Sequence, residues 1–430
     1  MKDEKTSRRE RRRRRLRNQI LAYLLLIIIL LLILAAVYLG GKGVLRYLDD
    51  YNDKVNRVIE EAESSVAAEQ ESAPEPYIEE MQSTETETGH VEGYIPPEEE
   101  DSLDGLIESL LSEMTIEEMA AGLFIVSPED ITGVGTVVQA SEGTKTAITQ
   151  NPVGGLVYTS KNFNSPEQFT KMLANTRGYA KFRIFTAVRA ECGSSEYGLE
   201  ATAKASELGD ADSVRQAYKS IAAKLASYGV DMNLAPVADI VSDEGDAALQ
   251  GRTFGSDAAV AAPLVDAAVQ AMQEEEVSAV LQKFPGAAAG SKSLDELRNS
   301  EFAVYDLAIR NGVDCIMVSH VRAADVTGDD TPSSLSRVMI NDVLRETLGY
   351  DGVVMTDFLD DSAITDNYSS AEAAVAAIQA GADLLLSPEN YQEAYEGVLQ
   401  AIADGTITPE RIHDSVYRIY RVKYKNAIGT

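Results

Sequence analysis

Eight polar residues stand at or just beyond the ends of short apolar runs: Arg189, Glu191, Asp239, Gln282, Lys283, Ser319, His320 and Asp357. Carboxylate, imidazole, ammonium and guanidinium groups gathered at one end of a sheet can exchange protons and hold polar ligands. Most of the eight also have a structural reading. Asp239 can cap the loop that follows it, Glu191 can be a packing carboxylate held by backbone N–H groups, and His320 can be a satisfied structural imidazole. Asp357 is different. It follows Gly352-Val353-Val354-Met355-Thr356, and nothing local explains a carboxylate at that strand tip. Asp360 and Asp361 lie close by, so its ionisation is costly unless a cation compensates.

The elements that position these residues read as β/α repeats. Apolar runs fall at Ala121–Val126, Gly155–Tyr158, Ile184–Val188, Met232–Val237, Ala279–Phe284, Cys315–Ser319, Val353–Thr356 and Ala382–Leu386. Such continuously apolar runs suit parallel strands covered on both faces. Helical patterns separate them, as at Asp212–Tyr228, Ser336–Leu348 and Ala371–Ala380. Ser165-Pro166-Glu167-Gln168 and Thr408-Pro409-Glu410-Arg411 are helix starts with Pro at the first helical position. Gly178, Gly229, Gly312, Gly349 and Gly381 read as helix stops. Eight repeats over residues 102–430 predict an α/β fold, a (β/α)8 TIM-like barrel, with a doubly wound open sheet as the alternative. In a barrel, chemistry sits at the C-terminal ends of the strands, where the candidate residues fall.

The first hundred residues differ in kind. Residues 1–19 are a basic tail predicted to stay in the cytoplasm, followed by an unbroken apolar run from Ile20 to Leu39. Twenty apolar residues at 1.5 Å rise span about 30 Å, the hydrocarbon thickness of a bilayer. The run is longer than the apolar region of a cleaved signal peptide, which is the competing reading. Residues 20–40 are therefore expected to be a transmembrane anchor in the plasma membrane, with the remainder outside the cell. Residues 41–63 are expected to be a juxtamembrane helix whose seam over 43–63 suits a weak dimer or a solvated stalk. Residues 64–101 hold twelve Asp/Glu and no Lys or Arg, and read as a disordered acidic tether.

Composition excludes several classes. Net charge is −31, which repels an extended polyanion and argues against nucleic acid as a partner. Two Cys and three His leave no Cys/His zinc cluster, and no metal or cofactor is expected. Gly133-Val134-Gly135 lacks the third glycine of a dinucleotide fingerprint. Cys192 and Cys315 lie on or beside non-adjacent strands and should be separate buried thiols.

An ordered series of motifs resembles glycoside hydrolase family 3, in particular its single-barrel β-N-acetylglucosaminidase branch. The series includes Gly154-Gly155-Leu156-Val157, Asn233-Leu234-Ala235-Pro236-Val237-Ala238-Asp239 and Gly251-Arg252-Thr253-Phe254-Gly255. It continues with Phe284-Pro285-Gly286, Met317-Val318-Ser319-His320 and Gly352-Val353-Val354-Met355-Thr356-Asp357, covering about residues 103–425. The resemblance implies hydrolysis of glycosides with retention, and Asp357 occupies the nucleophile's position. It makes Arg189, Glu191, Arg252, Gln282, Lys283 and His320 the candidate sugar-binding residues.

The chain departs from the family pattern at several of these positions. The family's Lys-His-Phe-Pro-Gly-His-Gly reads Gln282-Lys283-Phe284-Pro285-Gly286-Ala287-Ala288 here. The His/Asp acid-base dyad of this branch falls on Ser293-Leu294-Asp295, which contains no His. Arg189 and Ser194 replace an Asp and an Arg at the third strand, and Phe358 follows the nucleophile. Two expectations follow. One is an extracellular hexosaminidase acting on wall or peptidoglycan-type glycans, with Asp295 or Glu296 as replacement acid/base. The other is an inactive glycan-binding or scaffolding module whose pocket cations, Arg189 and Lys283, prefer an anionic ligand unless they pair with Glu191 and Asp357.

Overall fold

The computed structural model describes residues 98–241 and 248–426. The basic tail, the expected anchor at 20–40, the expected seam at 43–63 and nearly all of the acidic stretch lie outside the described residues. Among the described residues, no helix is long and apolar enough to cross a membrane.

Eight parallel strands close into a barrel in sequence order: β1 Phe124–Val126, β2 Gly155–Val157, β3 Phe185–Val188, β4 Met232–Asn233, β5 Ser278–Phe284, β6 Cys315–Val318, β7 Val353–Phe358 and β8 Leu384–Leu386. Closure is made by β1 on β8, where Ile125 pairs with Leu386. The open-sheet alternative is thereby excluded. Nearly every strand residue is buried, because barrel interior and helix layer cover both faces. Ile125, Leu156, Val280, Ile316, Val354 and Leu385 are fully enclosed, and truncating such a side chain to Ala costs about 2–5 kcal/mol.

Around the barrel run the main helices: α1 Glu98–Ser112, α2 Glu142–Gln150, α3 Pro166–Tyr179, α4 Ala211–Tyr228, α5 Ala258–Glu274, α6 Glu301–Arg310, α7 Val338–Thr347, α8 Ser370–Ala380, α9 Tyr391–Ala403 and α10 Pro409–Tyr424. The sequence signals for α3 act as expected. Ser165 Oγ accepts from the Gln168 amide at 3.2 Å, and Gln168 Oε1 accepts from the Ser165 amide, closing a capping box. Thr408 caps α10 in the same way, accepting from the Arg411 amide at 3.2 Å.

Three expectations are corrected. The first run is too long: Ala121 ends a short helix, Ile116–Ala121, and only Phe124–Val126 is strand. The fourth shrinks to Met232–Asn233 because Pro236 has no N–H to give the ladder, and only a single bridge, Val237 to Gln282, follows. Gly178 lies inside the last turn of α3, whereas Gly229 and Gly381 stop their helices with φ of 88° and 114°. The segment Val338–Thr347 is helical as expected but wound as a π-helix. Both cysteines are buried free thiols.

Candidate active site at the C-terminal mouth of the barrel

The strands deliver three ion pairs to their C-terminal ends or to the loops just beyond. Asp357, the penultimate residue of β7, is only 7% exposed. Its Oδ1 accepts from the Phe358 amide at 3.0 Å, and Lys283 Nζ donates to its Oδ2 at 2.6 Å. Lys283 comes from β5, so the pair spans the barrel from the fifth strand to the seventh. Here is the cation that a carboxylate among Asp360 and Asp361 requires.

Glu191, beyond β3, takes a two-point contact from Arg252. Nε donates to Oε2 at 2.7 Å and Nη2 to Oε1 at 2.6 Å, and this contact raises the Arg252 pKa further. A planar guanidinium matched to a carboxylate in this way holds both side chains in orientation. Arg189 takes no part: it is exposed and, among the described residues, has no ion pair. The anticipated internal pairing of both pocket cations is therefore half met, with Lys283 on Asp357 but Arg252 on Glu191.

The third pair was not anticipated. Glu301, almost wholly buried at the start of α6, accepts from Lys292 Nζ at 2.6 Å. It fixes the loop after β5 from beneath. Gly286 in that loop has φ 110°, and a Cβ there would approach Glu301 Cγ to 2.8 Å, so glycine alone lets the loop lie on the carboxylate. Asp239 holds the same loop, its Oδ1 accepting from the Ala287 amide at 2.5 Å. Burial raises the Asp239 pKa, and its Oδ2 has no hydrogen-bond partner among the described residues. The capping reading of Asp239 fits this geometry.

Other sequence candidates are turned away from the mouth or spent on structure. Gln282 is 1% exposed and its amide donates to the Leu234 carbonyl, bracing β5 on the segment after β4. His320 has both ring nitrogens occupied, Nδ1 with Ser334 Oγ at 2.7 Å and Nε2 with the Phe358 carbonyl at 2.8 Å. It fastens the chain immediately after the nucleophile candidate. Asp295 and Glu296 lie in the short helix Leu294–Arg298. Asp295 is 87% exposed and bridges to Arg298 at 3.2 Å, while Glu296 accepts from the Ser293 amide and hydroxyl as a helix cap. Those bonds to Ser293 lower the Glu296 pKa, the direction opposite to that of a general acid. The capping motif Ser293-Leu294-Asp295-Glu296 was visible in the sequence and signalled this use.

Glu129 and Asn162 were missed. Glu129 Oε1 accepts from Asn162 Nδ2 at 2.7 Å and from the Val137 amide at 2.8 Å, tying the loops after β1 and β2 together. Neither follows an apolar run directly, so strand-end reasoning passes over them.

Over residues 115–422 the sequence matches the family model described as glycosyl hydrolase family 3 N terminal domain. A β-N-acetylglucosaminidase/β-glucosidase of Cellulomonas fimi is 29% identical over 265 residues, 56% of this chain and 47% of that protein. A β-hexosaminidase of Hydrogenovibrio crunogenus is 28% identical over 54% of this chain and 71% of its own length. Among solved structures, a family 3 β-N-acetylglucosaminidase from Paenibacillus superposes with TM-score 0.68 at 30% identity, covering 74% of this chain and 64% of that one. The chain thus spans about half the Cellulomonas protein and under two thirds of the Paenibacillus chain.

Proposed function

Because the chain belongs to glycosyl hydrolase family 3, we propose that its barrel is a retaining β-N-acetylhexosaminidase acting on GlcNAc-containing wall glycans. The observation that carries this reading is Asp357. It is a buried carboxylate at the tip of β7, held by its own loop amide and faced by Lys283 at 2.6 Å. In the proposed reaction, Asp357 attacks the anomeric carbon and the glycosidic C–O bond breaks as a glycosyl ester forms on Oδ. Water then cleaves the ester. Lys283 orients the carboxylate, and the Arg252–Glu191 pair presents a fixed polar edge for sugar hydroxyls. Relatives named for N-acetylglucosaminidase and hexosaminidase activity support the substrate class.

A second reading, an inactive glycan-binding module, is favoured by one observation. The loop after β5 supplies no His/Asp dyad, and its carboxylates Asp295 and Glu296 are committed to a helix cap and a surface bridge. In either reading we place residues 20–40 in the plasma membrane, with residues 64–101 as a tether and the barrel outside the cell. The apolar run and its basic flank support that placement.

The test is turnover of a fluorogenic β-N-acetylglucosaminide by the full chain beside Asp357→Asn. Hydrolysis that disappears in the variant establishes the enzyme. Equal rates in the two proteins, or none in either, leave the binding module.

A further inference from the structure

A glycosidase of this kind needs a proton donor, and the loop that normally carries it has none. The carboxyls around Asp357 can be sorted by what already holds them. Asp130 accepts from the Ser127 amide at 2.9 Å in a capping box. Glu129 is bound by Asn162 and the Val137 amide. Asp361 caps a short helix, accepting from the Ala363 amide at 2.8 Å. Asp357 itself is taken by Lys283. Among the described residues, Asp360 alone of these five accepts no hydrogen bond from another residue.

Its backbone position is also defined. The Asp361 amide donates to the Phe358 carbonyl at 3.2 Å, closing a tight turn over residues 358–361 that holds Asp360 just past the end of β7, three residues beyond Asp357. Two further bonds hold that turn. The Leu359 amide donates to the Leu386 carbonyl at 2.8 Å, and His320 Nε2 contacts the Phe358 carbonyl. The carboxyl is thus carried by the same strand end as the nucleophile candidate, on a braced turn at the rim, with its polar atoms uncommitted.

From this geometry we infer that Asp360 is the general acid/base of the mouth, replacing the absent dyad. The inference rests on the hydrolase reading above. As Asp357 attacks, the Asp360 carboxyl gives its proton to the departing glycosidic oxygen. In the second half, the Asp360 carboxylate takes a proton from water as the oxygen attacks the anomeric carbon and the ester to Asp357 breaks. Protons and charge return to their starting places. The surroundings suit the role: partial desolvation first, then the neighbouring charges of Asp130, Asp361 and Asp357, raise the Asp360 pKa above the ordinary Asp value. Lys283, the cation paired with Asp357, is already engaged there. Two carboxyls of one site whose environments differ can divide the roles of acid and nucleophile.

The test uses two β-N-acetylglucosaminides on the full chain: a methylumbelliferyl glycoside, which leaves poorly without a proton, and a dinitrophenyl glycoside, which needs none. Asp360→Asn should lose about 10²–10⁴-fold on the first substrate. It should still form the glycosyl-enzyme on the second, seen as a burst of dinitrophenol. Azide, a nucleophile needing no base, should restore its steady-state rate and yield the β-glycosyl azide. The basic limb of the wild-type pH profile, where the acid is lost by deprotonation, should vanish in the variant. Equal losses on both substrates without azide product, or full activity on the first, would overturn the assignment. A wild type that releases no dinitrophenol above Asp357→Asn, in burst or steady state, would instead remove the hydrolase reading, and the acid with it.

Discussion

The two ends of the barrel both concentrate charge, and they use it differently. At the mouth, Asp357, Glu191 and Glu301 each have one cation, and Lys283 and Arg252 keep about 33% and 27% of their side chains in solvent. At the floor, where the strands begin, Asp383 is fully buried and surrounded by Arg345, Arg411 and Arg418. Arg345 Nη1 also donates to the Tyr350 and Gly352 carbonyls, and Arg411 to those of Ile378 and Ala382. Charges at the mouth can exchange a partner for a ligand. Those at the floor have several partners each, and their displacement would undo α7, α10 and β8 together. A cleft of about 630 Å³ lies on the floor side, lined by Asp314, Asp351, Arg418 and Lys425.

This contrast can be broken from either side. The largest effect is expected from Asp357→Asn, which should remove roughly 10⁴–10⁶ of the turnover, the order found when a nucleophile is lost. The melting temperature should barely change, as measured by calorimetry beside the fluorogenic assay. At the floor the expectation reverses. Asp383→Ala strands three guanidiniums and should destabilise by about 3–5 kcal/mol in urea titration, while kcat per folded molecule stays near wild type. A floor variant that stays stable but loses kcat would collapse the distinction.

Lys423 sharpens it through pH. This floor lysine on α10 donates to the Gly154 carbonyl at 3.0 Å, and burial lowers its pKa to about 7. Between that value and the unfolded pKa near 10, the unfolded chain binds a proton the folded one does not. Stability should therefore rise with pH across that window, by about 1 kcal/mol per unit at most. Lys423→Met should flatten the rise without altering the pH dependence of turnover. Asp231 works the opposite way: burial raises its pKa to about 6, so its contribution falls as pH climbs from about 4 towards that value. The smallest effect is expected for Glu191→Gln, which leaves Arg252 one neutral partner. KM should rise by a few-fold to about 10-fold with little change in kcat or melting temperature. A large fall in kcat with KM unchanged would instead make Glu191 part of the chemistry.

Much of the frame was legible because it is local. Buried parallel strands leave apolar runs, and Ser165-Pro166 and Thr408-Pro409 mark helix starts wherever they occur. Placement of Asp357, Lys283 and Glu191 near the mouth followed from strand ends alone. The partner choices did not, since they depend on which side chains meet across the barrel. Nothing in the sequence says that Arg252 rather than Arg189 reaches Glu191, or that Gln282 and His320 spend their polar atoms on neighbouring backbone and Ser334. Asp295 and Glu296 were drawn to the site by alignment to a motif, although their capping pattern was present in the same residues. Asp360 was noticed only as a burden on its neighbour, because the turn that lifts it is a hydrogen bond between residues 358 and 361.

The pairing of the first strand with the eighth has a practical consequence. Helices α1 and α10 pack against each other, and Tyr420 Oη lies 3.2 Å from Met114 Sδ across that contact. The start and finish of the described chain are therefore neighbours, which is the condition for a circular permutant. A short linker from residue 426 to residue 103, with new termini cut in the exposed turn at Gly328-Asp329-Asp330, should give a chain that still closes. A reporter fused after residue 426 would ride beside α1, well away from the carboxylates of the opposite rim.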